Sequence, residues 1–131
     1  MIILDTNVLS EVMRPSPSAS VAQWMASKRA DELFTTAVTE AEILLGVKIL
    51  PDGQRKLALE NATKRVFSLM SGRILPFDSL AAQAFAEIVA ERRAGGRPIM
   101  EFDAQIAAIS RSRGMGSRRV TFPTSTALAS R

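Results

Sequence analysis

The first eleven residues constrain the fold of this chain more than any other stretch. Residues 1–4 are all apolar, which predicts a short strand buried on both faces, as in a parallel sheet. The run stops at Asp5, and a charged group at the end of a buried strand is costly unless something pairs with it. The following apolar spacing predicts a helix, with Thr6 or Asn7 as candidate N-cap. Ligands bind at this edge of open parallel sheets, so Asp5 is a candidate site residue, although capping the helix explains it equally well.

The residue types that the chain lacks restrict its chemistry. It contains no cysteine, no histidine and no tyrosine. Disulfides, thiolate metal sites, a Ser-His-Asp triad and a histidine-ligated metal centre are therefore excluded. Any catalysis must use carboxylates, lysines, arginines, hydroxyl groups or a metal ion held by oxygen.

Length and charge indicate one domain in the cytoplasm. The 131 residues suit a single core, and no apolar stretch is long enough to cross a bilayer. The N-terminus lacks the features of a signal peptide, so we expect a cytoplasmic protein with no membrane partner. The net charge is +4, but residues 104–131 hold five arginines and no acid. Because the basicity belongs to that end, it is weak evidence for an anionic partner.

Strand and helix patterns alternate along the chain. Apolar runs at residues 33–36 and 73–77 predict two further strands, and residues 120–122 are a candidate fragment of a fourth. Helical spacing separates these runs. The alternation predicts an α/β fold, in which a short parallel sheet is flanked by helices in a three-layer α/β/α arrangement.

Two more acids are candidate site residues. Glu42 lies in a helix predicted over residues 38–46 and precedes three apolar residues, so we expect it to face inward. A capping box, in which Glu42 reaches back to the Thr39 amide, is the structural explanation that spacing favours. Asp103 directly precedes a helix predicted over residues 104–113, and an N-cap is its simplest explanation when it is taken alone.

Four sequence blocks resemble PIN-domain ribonucleases, in particular the VapC-type toxins of prokaryotic toxin–antitoxin pairs. The blocks are Ile3-Leu4-Asp5-Thr6-Asn7-Val8-Leu9-Ser10-Glu11, Thr39-Glu40-Ala41-Glu42-Ile43-Leu44-Leu45-Gly46, Gly72-Arg73-Ile74-Leu75-Pro76-Phe77-Asp78, and Pro98 through Asp103-Ala104-Gln105-Ile106-Ala107-Ala108-Ile109. They follow the family's order and spacing. The resemblance implies a PIN-like fold in which Asp5, Glu42 and Asp103 are three of the four active-site acids, supported by Thr6 and Asn7.

The same resemblance implies an activity and partners. It implies an endoribonuclease dependent on Mg²⁺ or Mn²⁺, which cleaves cellular RNA, forms a homodimer and is silenced by a cognate VapB-type antitoxin. The residue types agree, because oxygen-only ligands select a hard divalent ion. Such an ion joins carboxylates that would otherwise repel one another, and it activates water. Trp24 and Met25 are candidates for a groove that receives the antitoxin, with core packing as an equal explanation.

The C-terminal end departs from the family's pattern. VapC-type proteins carry a motif with a fourth acidic or polar ligand after the Asp103 helix, but no Asp or Glu follows Asp103 here. We therefore predict a PIN domain at residues 1–115 and an atypical tail, frameshifted or disordered, at residues 116–131. The missing acid raises an alternative function, a catalytically impaired PIN-fold protein that only binds the antitoxin or itself. A phosphotransfer role for Asp5 is disfavoured, because no second acid follows it closely.

Overall fold

The structure is a computed structural model and describes residues 1–114 together with the backbone of residues 118–120. Within that part of the chain no helix is both long and apolar enough to traverse a bilayer. The elements follow in the order β1 (Ile2–Leu4), α1 (Thr6–Val12), α2 (Ala19–Ala26), a 3-10 turn (Ala30–Glu32), β2 (Leu33–Thr36), α3 (Ala37–Lys48), α4 (Gln54–Leu69), β3 (Ile74–Leu75), α5 (Ser79–Ala94), α6 (Glu101–Ser112) and β4 (Arg118–Val120).

The four strands form one sheet in the order β3-β2-β1-β4, and every neighbouring pair is parallel. Ile3 of β1 lies beside Phe34 of β2, and Thr36 of β2 lies beside Leu75 of β3. Parallel strands end at the same edge of a sheet. The residues that follow β1 and β2 therefore meet at one edge, where ligand sites form in open α/β sheets.

Strand β1 sends its side chains alternately into two hydrophobic clusters. Ile2 and Leu4 pack with residues of α1 and α4, among them Phe67. Ile3 points to the opposite face and packs with Ile106 and other residues of α5 and α6. The short apolar run is thus buried on both faces, because helices cover both sides of the sheet. The predicted three-layer α/β/α fold is confirmed.

Several element boundaries differ from those that the sequence predicts. Helix α3 continues to Lys48, so Gly46 lies within it and does not end it. A glycine inside a helix costs only about 1 kcal/mol, which tertiary packing readily offsets. Helix α6 begins at Glu101 and not at residue 104. Strand β3 contains only Ile74–Leu75 of the predicted run, because the proline that follows cannot continue the ladder.

The fourth strand lies C-terminal to the predicted domain boundary at residue 115. Its residues pair in parallel with β1, with Leu4 beside Val120. The strand fragment predicted at residues 120–122 therefore shares Val120 with β4. Residues 115–117 and 121–131 lie outside the described part of the chain, and the boundary and the frameshifted or disordered tail stay predictions.

Candidate active site

Asp5 lies at the carboxyl edge of the sheet, between β1 and α1. It is the N-cap of α1, and its Oδ1 accepts a hydrogen bond from the backbone N–H of Val8 at 3.2 Å. The residue is only 3% exposed. The explanation of Asp5 as a helix cap is therefore correct, and the prediction of Thr6 or Asn7 as the cap is wrong. Capping satisfies an amide that the first turn of a helix leaves unpaired, and it fixes the direction of the Asp5 carboxylate.

Thr6 connects the first turn of α1 to the acid of α3. Its hydroxyl donates to Glu42 Oε1 at 2.6 Å, and its Oγ1 also lies 3.3 Å from Thr39 Oγ1. A distance of 2.6 Å is typical of a hydroxyl that donates to a carboxylate. Glu42 is half-buried, so it does face inward from α3 as predicted. This hydrogen bond places Glu42, an acid of the second sequence block, beside Thr6, the residue that follows Asp5.

The predicted capping box between Thr39 and Glu42 is wrong. The N-cap of α3 is Thr36, whose side chain accepts from the Thr39 amide at 3.0 Å. Because the helix begins at Ala37, Glu42 lies well inside it and has no free amide to reach. The Glu42 carboxylate instead bonds to Thr6 on a different helix. The structural explanation that competed with a functional role for Glu42 is thereby removed.

Three threonines at the end of β2 and the start of α3 are completely buried behind these acids. They are Thr35, Thr36 and Thr39. Thr35 donates its hydroxyl to the carbonyl of Leu4 at 2.9 Å, which joins β2 to the residue before Asp5. Sequence reasoning missed this group. The available signal was a run of small hydroxyl residues where a buried strand becomes a helix, since buried hydroxyls need partners.

Asp103 lies in the first turn of α6 and is exposed. The N-cap of this helix is Met100, so the interpretation of Asp103 as an N-cap is wrong. A carboxylate in the first turn still suits the positive end of the helix dipole. The helix itself is anchored by its buried face, which includes Ile106 and Ile109, and it contacts α3, the helix that carries Glu42.

The structure brings some of the predicted site residues together and separates others. Asp5, Thr6 and Asn7 are consecutive at the end of β1, and Glu42 joins them through Thr6. Asn7 is half-buried in the first turn of α1. Among residues 1–114, no three acidic side chains are arranged so that they could hold a metal ion. The assignment of Asp5, Glu42 and Asp103 to a single metal site stays a prediction.

Glu11 is a buried acid with a structural role. Its Oε2 accepts from the backbone N–H of Ser18 at 2.9 Å, and its Oε1 lies 3.4 Å from a guanidinium nitrogen of Arg14. Ser18 is in turn the N-cap of α2. Glu11 therefore stabilises the proline-containing loop between α1 and α2. Asp78 also has a structural role, because it caps α5 by accepting from the Ala81 amide at 3.0 Å.

Trp24 and Met25 of α2 pack against the hydrophobic cluster that contains Ile2 and Leu4. Both side chains are half-buried, and Lys28 Nζ lies 5.6 Å from the centroid of the Trp24 ring. Core packing, one of the two explanations offered for these residues, is therefore present. Their predicted place in an antitoxin groove depends on the part of each side chain that faces solvent.

Several known proteins resemble this chain over most of its length. The family model described as PIN domain matches residues 2–122. Toxin FitB of Neisseria gonorrhoeae is 38% identical over 116 residues, which cover 88% of this chain and 84% of FitB. VapC ribonuclease Y4jK of Sinorhizobium fredii is 34% identical over 125 residues, covering 94% of this chain and 89% of the relative.

A solved structure supports the same relationship. The structure of FitAB bound to an IR36 DNA fragment contains a chain with 38% sequence identity and a TM-score of 0.80, covering 88% of this chain and 81% of that one. PIN-domain nucleases generally use divalent metal ions. The resemblance predicted from the four sequence blocks is confirmed, and the chain belongs to the PIN-domain family, with FitB and VapC toxins among its relatives.

Proposed function

We propose that this protein is a metal-dependent endoribonuclease toxin of the VapC type, which cleaves cellular RNA and is neutralised by a cognate VapB-type antitoxin. Family membership supports the proposal, since one relative is named a VapC ribonuclease and another a toxin. An antitoxin partner is supported by the relative named Toxin FitB and by the similar chain in the structure of FitAB. We expect the protein to act in the cytoplasm, where cellular RNA is translated.

The single observation that carries the proposal is the bond between Thr6 and Glu42. It joins an acid of α3 to the residue directly after Asp5, at the edge of the sheet where α/β proteins bind ligands. The bond crosses between two helices, since Thr6 and Glu42 are 36 positions apart in the sequence. Neither the capping box nor the helix dipole explains why Glu42 turns toward α1.

The donor set fits a hard divalent ion such as Mg²⁺ or Mn²⁺. All candidate ligands are oxygen atoms, and the chain contains no histidine or cysteine. Within residues 1–114 the acids form no three-member cluster, but Mg²⁺ commonly binds through one or two carboxylates together with water and substrate phosphate. When bound, the ion supplies Lewis-acid polarisation of the phosphodiester and activates water for attack.

The chain's own residues then have separate tasks. Asp5 and Asp103 would bind the metal ion, Asp5 in a direction fixed by its capping bond to Val8. Glu42 has Oε1 engaged by the Thr6 hydroxyl, so its other oxygen would ligate the ion or accept a proton from the attacking water. Asn7 follows in the first turn of α1, where it would contact the phosphate.

A homodimer is part of the proposal. Helix α3 exposes Leu44 and Leu45, and Ile49, which follows the helix, is 73% exposed. Contiguous exposed apolar side chains on one element are typical of a surface that another chain covers. The second copy would cover this face of α3, on the same helix that presents Glu42 to the site.

The test is cleavage of a panel of tRNA, mRNA and rRNA fragments with Mg²⁺, Mn²⁺ or EDTA. The matched pair of variants is Asp5→Asn and Asp78→Asn, since each aspartate is the N-cap of a helix and asparagine caps as well as aspartate does. We expect metal-dependent cleavage that Asp5→Asn abolishes and Asp78→Asn retains. Cleavage that survives both EDTA and Asp5→Asn would contradict the proposal.

A second candidate function is a PIN-fold interaction protein that binds the antitoxin or itself but does not cleave RNA. Two observations favour it: no acid follows Asp103 in the sequence, and the described residues contain no three-acid metal cluster. Loss of one ligand weakens a metal site severely. Antitoxin binding without cleavage at any concentration of Mg²⁺ or Mn²⁺ would select this candidate.

A further inference from the structure

We propose that the ring of Phe102 stacks on a base of the RNA substrate, beside the phosphate that the metal ion at Asp103 would hold; this inference rests on the proposed nuclease function. Phe102 directly precedes Asp103 in the first turn of α6. Phe102 is 45% exposed, and Asp103 is exposed as well. A large aromatic surface is therefore open to solvent one residue away from a candidate metal ligand.

The fold does not use the Phe102 ring to hold α6 in place. The helix is anchored by its buried residues, which are Ala104, Ile106, Ala108 and Ile109. Within residues 1–114, none of the hydrophobic clusters includes Phe102. Single exposed apolar side chains are common on protein surfaces, so exposure alone assigns no role. The role that we assign to Phe102 follows from its place beside the acid.

Helix α6 presents the ring in a fixed place. It packs against α5 and contacts α3, the helix that carries Glu42. Consecutive side chains of a helix diverge by about 100°, so the Phe102 ring lies to one side of the Asp103 carboxylate and not over it. Phenylalanine has only two side-chain torsions, so little conformational entropy is lost when a base binds to its ring. The ring is therefore preorganised for a base that neighbours the bound phosphate.

The charges around Phe102 favour a contact with a base over a contact with the RNA backbone. Glu101 and Asp103, on either side of Phe102, are exposed carboxylates that repel RNA phosphates when no metal ion is bound. Stacking does not depend on a positive charge, and it accepts every base because each base has a π face. A base that stacks on a protein ring must be unpaired, so this contact directs the enzyme to loops and single strands.

The experiment measures the coupling between Phe102 and individual bases. The substrates are a short RNA from the cleavage panel and copies of it that each lack one base near the cut. The variants are Phe102→Ala and Phe102→Tyr, with Phe77→Ala as the matched control. Phe77 is 39% exposed and also precedes an aspartate, but its ring packs edge-to-face on Phe85 and Asp78 caps α5. For each full-length variant we would measure the melting temperature, kcat and KM with Mn²⁺, and the dissociation constant for RNA by fluorescence anisotropy.

We expect Phe102→Ala to raise KM and the dissociation constant by about 5- to 150-fold, the range typical of the loss of one stacked base. Phe102→Tyr keeps the ring and should stay close to the parent, as should Phe77→Ala. In the parent, removal of one particular base should raise KM by a similar factor. The same removal should have no further effect in Phe102→Ala, because the ring and the base form a single contact.

Several results would overturn the inference. KM and dissociation constants in Phe102→Ala equal to those of the parent would do so, and so would equal losses in Phe77→Ala. Effects of Phe102→Ala that add to those of every base removal would show that the ring contacts no base. Weaker antitoxin binding with unchanged RNA binding would show that a protein segment covers the ring instead. Failure of the nuclease proposal looks different: the parent would bind RNA without cleaving it, and the anisotropy comparison would still test Phe102. A parent that binds no RNA would contradict both proposals.

Discussion

The hydroxyl of Thr35 donates to the backbone carbonyl of Leu4 at 2.9 Å, in a place where both groups are completely buried. A side chain of β2 thus satisfies the last carbonyl of β1, while the Thr35 amide bonds to the carbonyl of Arg73 on the other side. This bond fixes the backbone immediately before Asp5. The direction in which the Asp5 carboxylate leaves the sheet therefore depends on a residue that is 30 positions away.

We expect Thr35→Val to destabilise the protein by about 1–3 kcal/mol, because the buried carbonyl of Leu4 would lose its hydrogen-bond donor. Valine has nearly the same shape, so the loss reflects the polar group and not a cavity. Thr35→Ser keeps the donor, so its free energy of unfolding should fall by less. Urea unfolding followed by circular dichroism measures the difference, and equal midpoints for Thr35→Val and the parent would contradict it.

Variants of α6 can distinguish two roles of Asp103, namely metal binding and interaction with the helix dipole. Glu101 and Asp103 both lie in the first turn of α6 and are exposed, so Asp103→Asn and Glu101→Gln remove the same charge from the same helix end. Each change should lower the free energy of unfolding by about 0.3–1 kcal/mol, as is usual for a favourable exposed charge near a helix terminus. Only Asp103→Asn should weaken Mn²⁺ binding.

Calorimetric titration with Mn²⁺, beside thermal unfolding of both variants, makes the comparison. Equal affinities for the two variants would remove Asp103 from the proposed metal site. A loss of affinity in Glu101→Gln but not in Asp103→Asn would place the ligand two residues earlier than the resemblance implies.

The fold was predictable from the sequence because its signals are local. The apolar run before Asp5 and the alternation of strand and helix patterns were sufficient for the parallel sheet and the three layers. The role of Glu42 was not predictable from spacing, since the capping box and a bond across helices require the same residue. The choice between them is made by Thr36, which begins α3 earlier than expected and occupies the Thr39 amide.

Other features of the site depend on contacts between distant parts of the chain. Nothing in the sequence near Thr6 indicates that its hydroxyl meets Glu42, because the two lie on different helices. The start of α6 differs from its predicted position for a different reason. Met100 is a poor capping residue, so the usual sequence signal for the beginning of a helix is missing there.

Replacement of Thr6 should lower metal affinity more than it lowers the free energy of unfolding. Replacement by valine removes the donor to Glu42 Oε1, and loss of such an orienting partner typically costs about 10–100-fold in metal affinity or activity. Thr6→Ser retains the donor and should stay close to the parent. A double-mutant cycle with Glu42→Gln, read out as kcat for RNA, measures the coupling. Additive effects of the two changes would contradict a shared role.

In the segment between α4 and β3, substitution of Arg73 should lower the free energy of unfolding more than substitution of any other residue. Its guanidinium donates to the carbonyls of Leu33 at 2.9 Å and Leu69 at 2.8 Å, which ties the end of α4 to β2. Arg73→Met should destabilise the protein by about 1.5–3 kcal/mol, the range for hydrogen bonds that involve a charged group. Arg73→Lys should recover only part of this, because one ammonium cannot reproduce the two-directional geometry of the guanidinium. Guanidinium chloride unfolding of the two variants makes the comparison, and full recovery by lysine would contradict the geometric argument.

The exposed apolar residues at the end of α3 and directly after it should determine whether the protein forms a dimer. Leu45 and Ile49 are one helical turn apart and are 54% and 73% exposed, so a charge placed on either costs the monomer little stability. If a second copy covers this face, Leu45→Glu and Ile49→Glu should convert a dimer into a monomer in sedimentation-velocity experiments, since an unpaired charge buried in an interface is strongly unfavourable. Leu69→Glu is the matched control, because Leu69 is 76% exposed at the end of α4. Dissociation by Leu69→Glu alone would move the interface to α4, and a monomeric parent protein would contradict the dimer altogether.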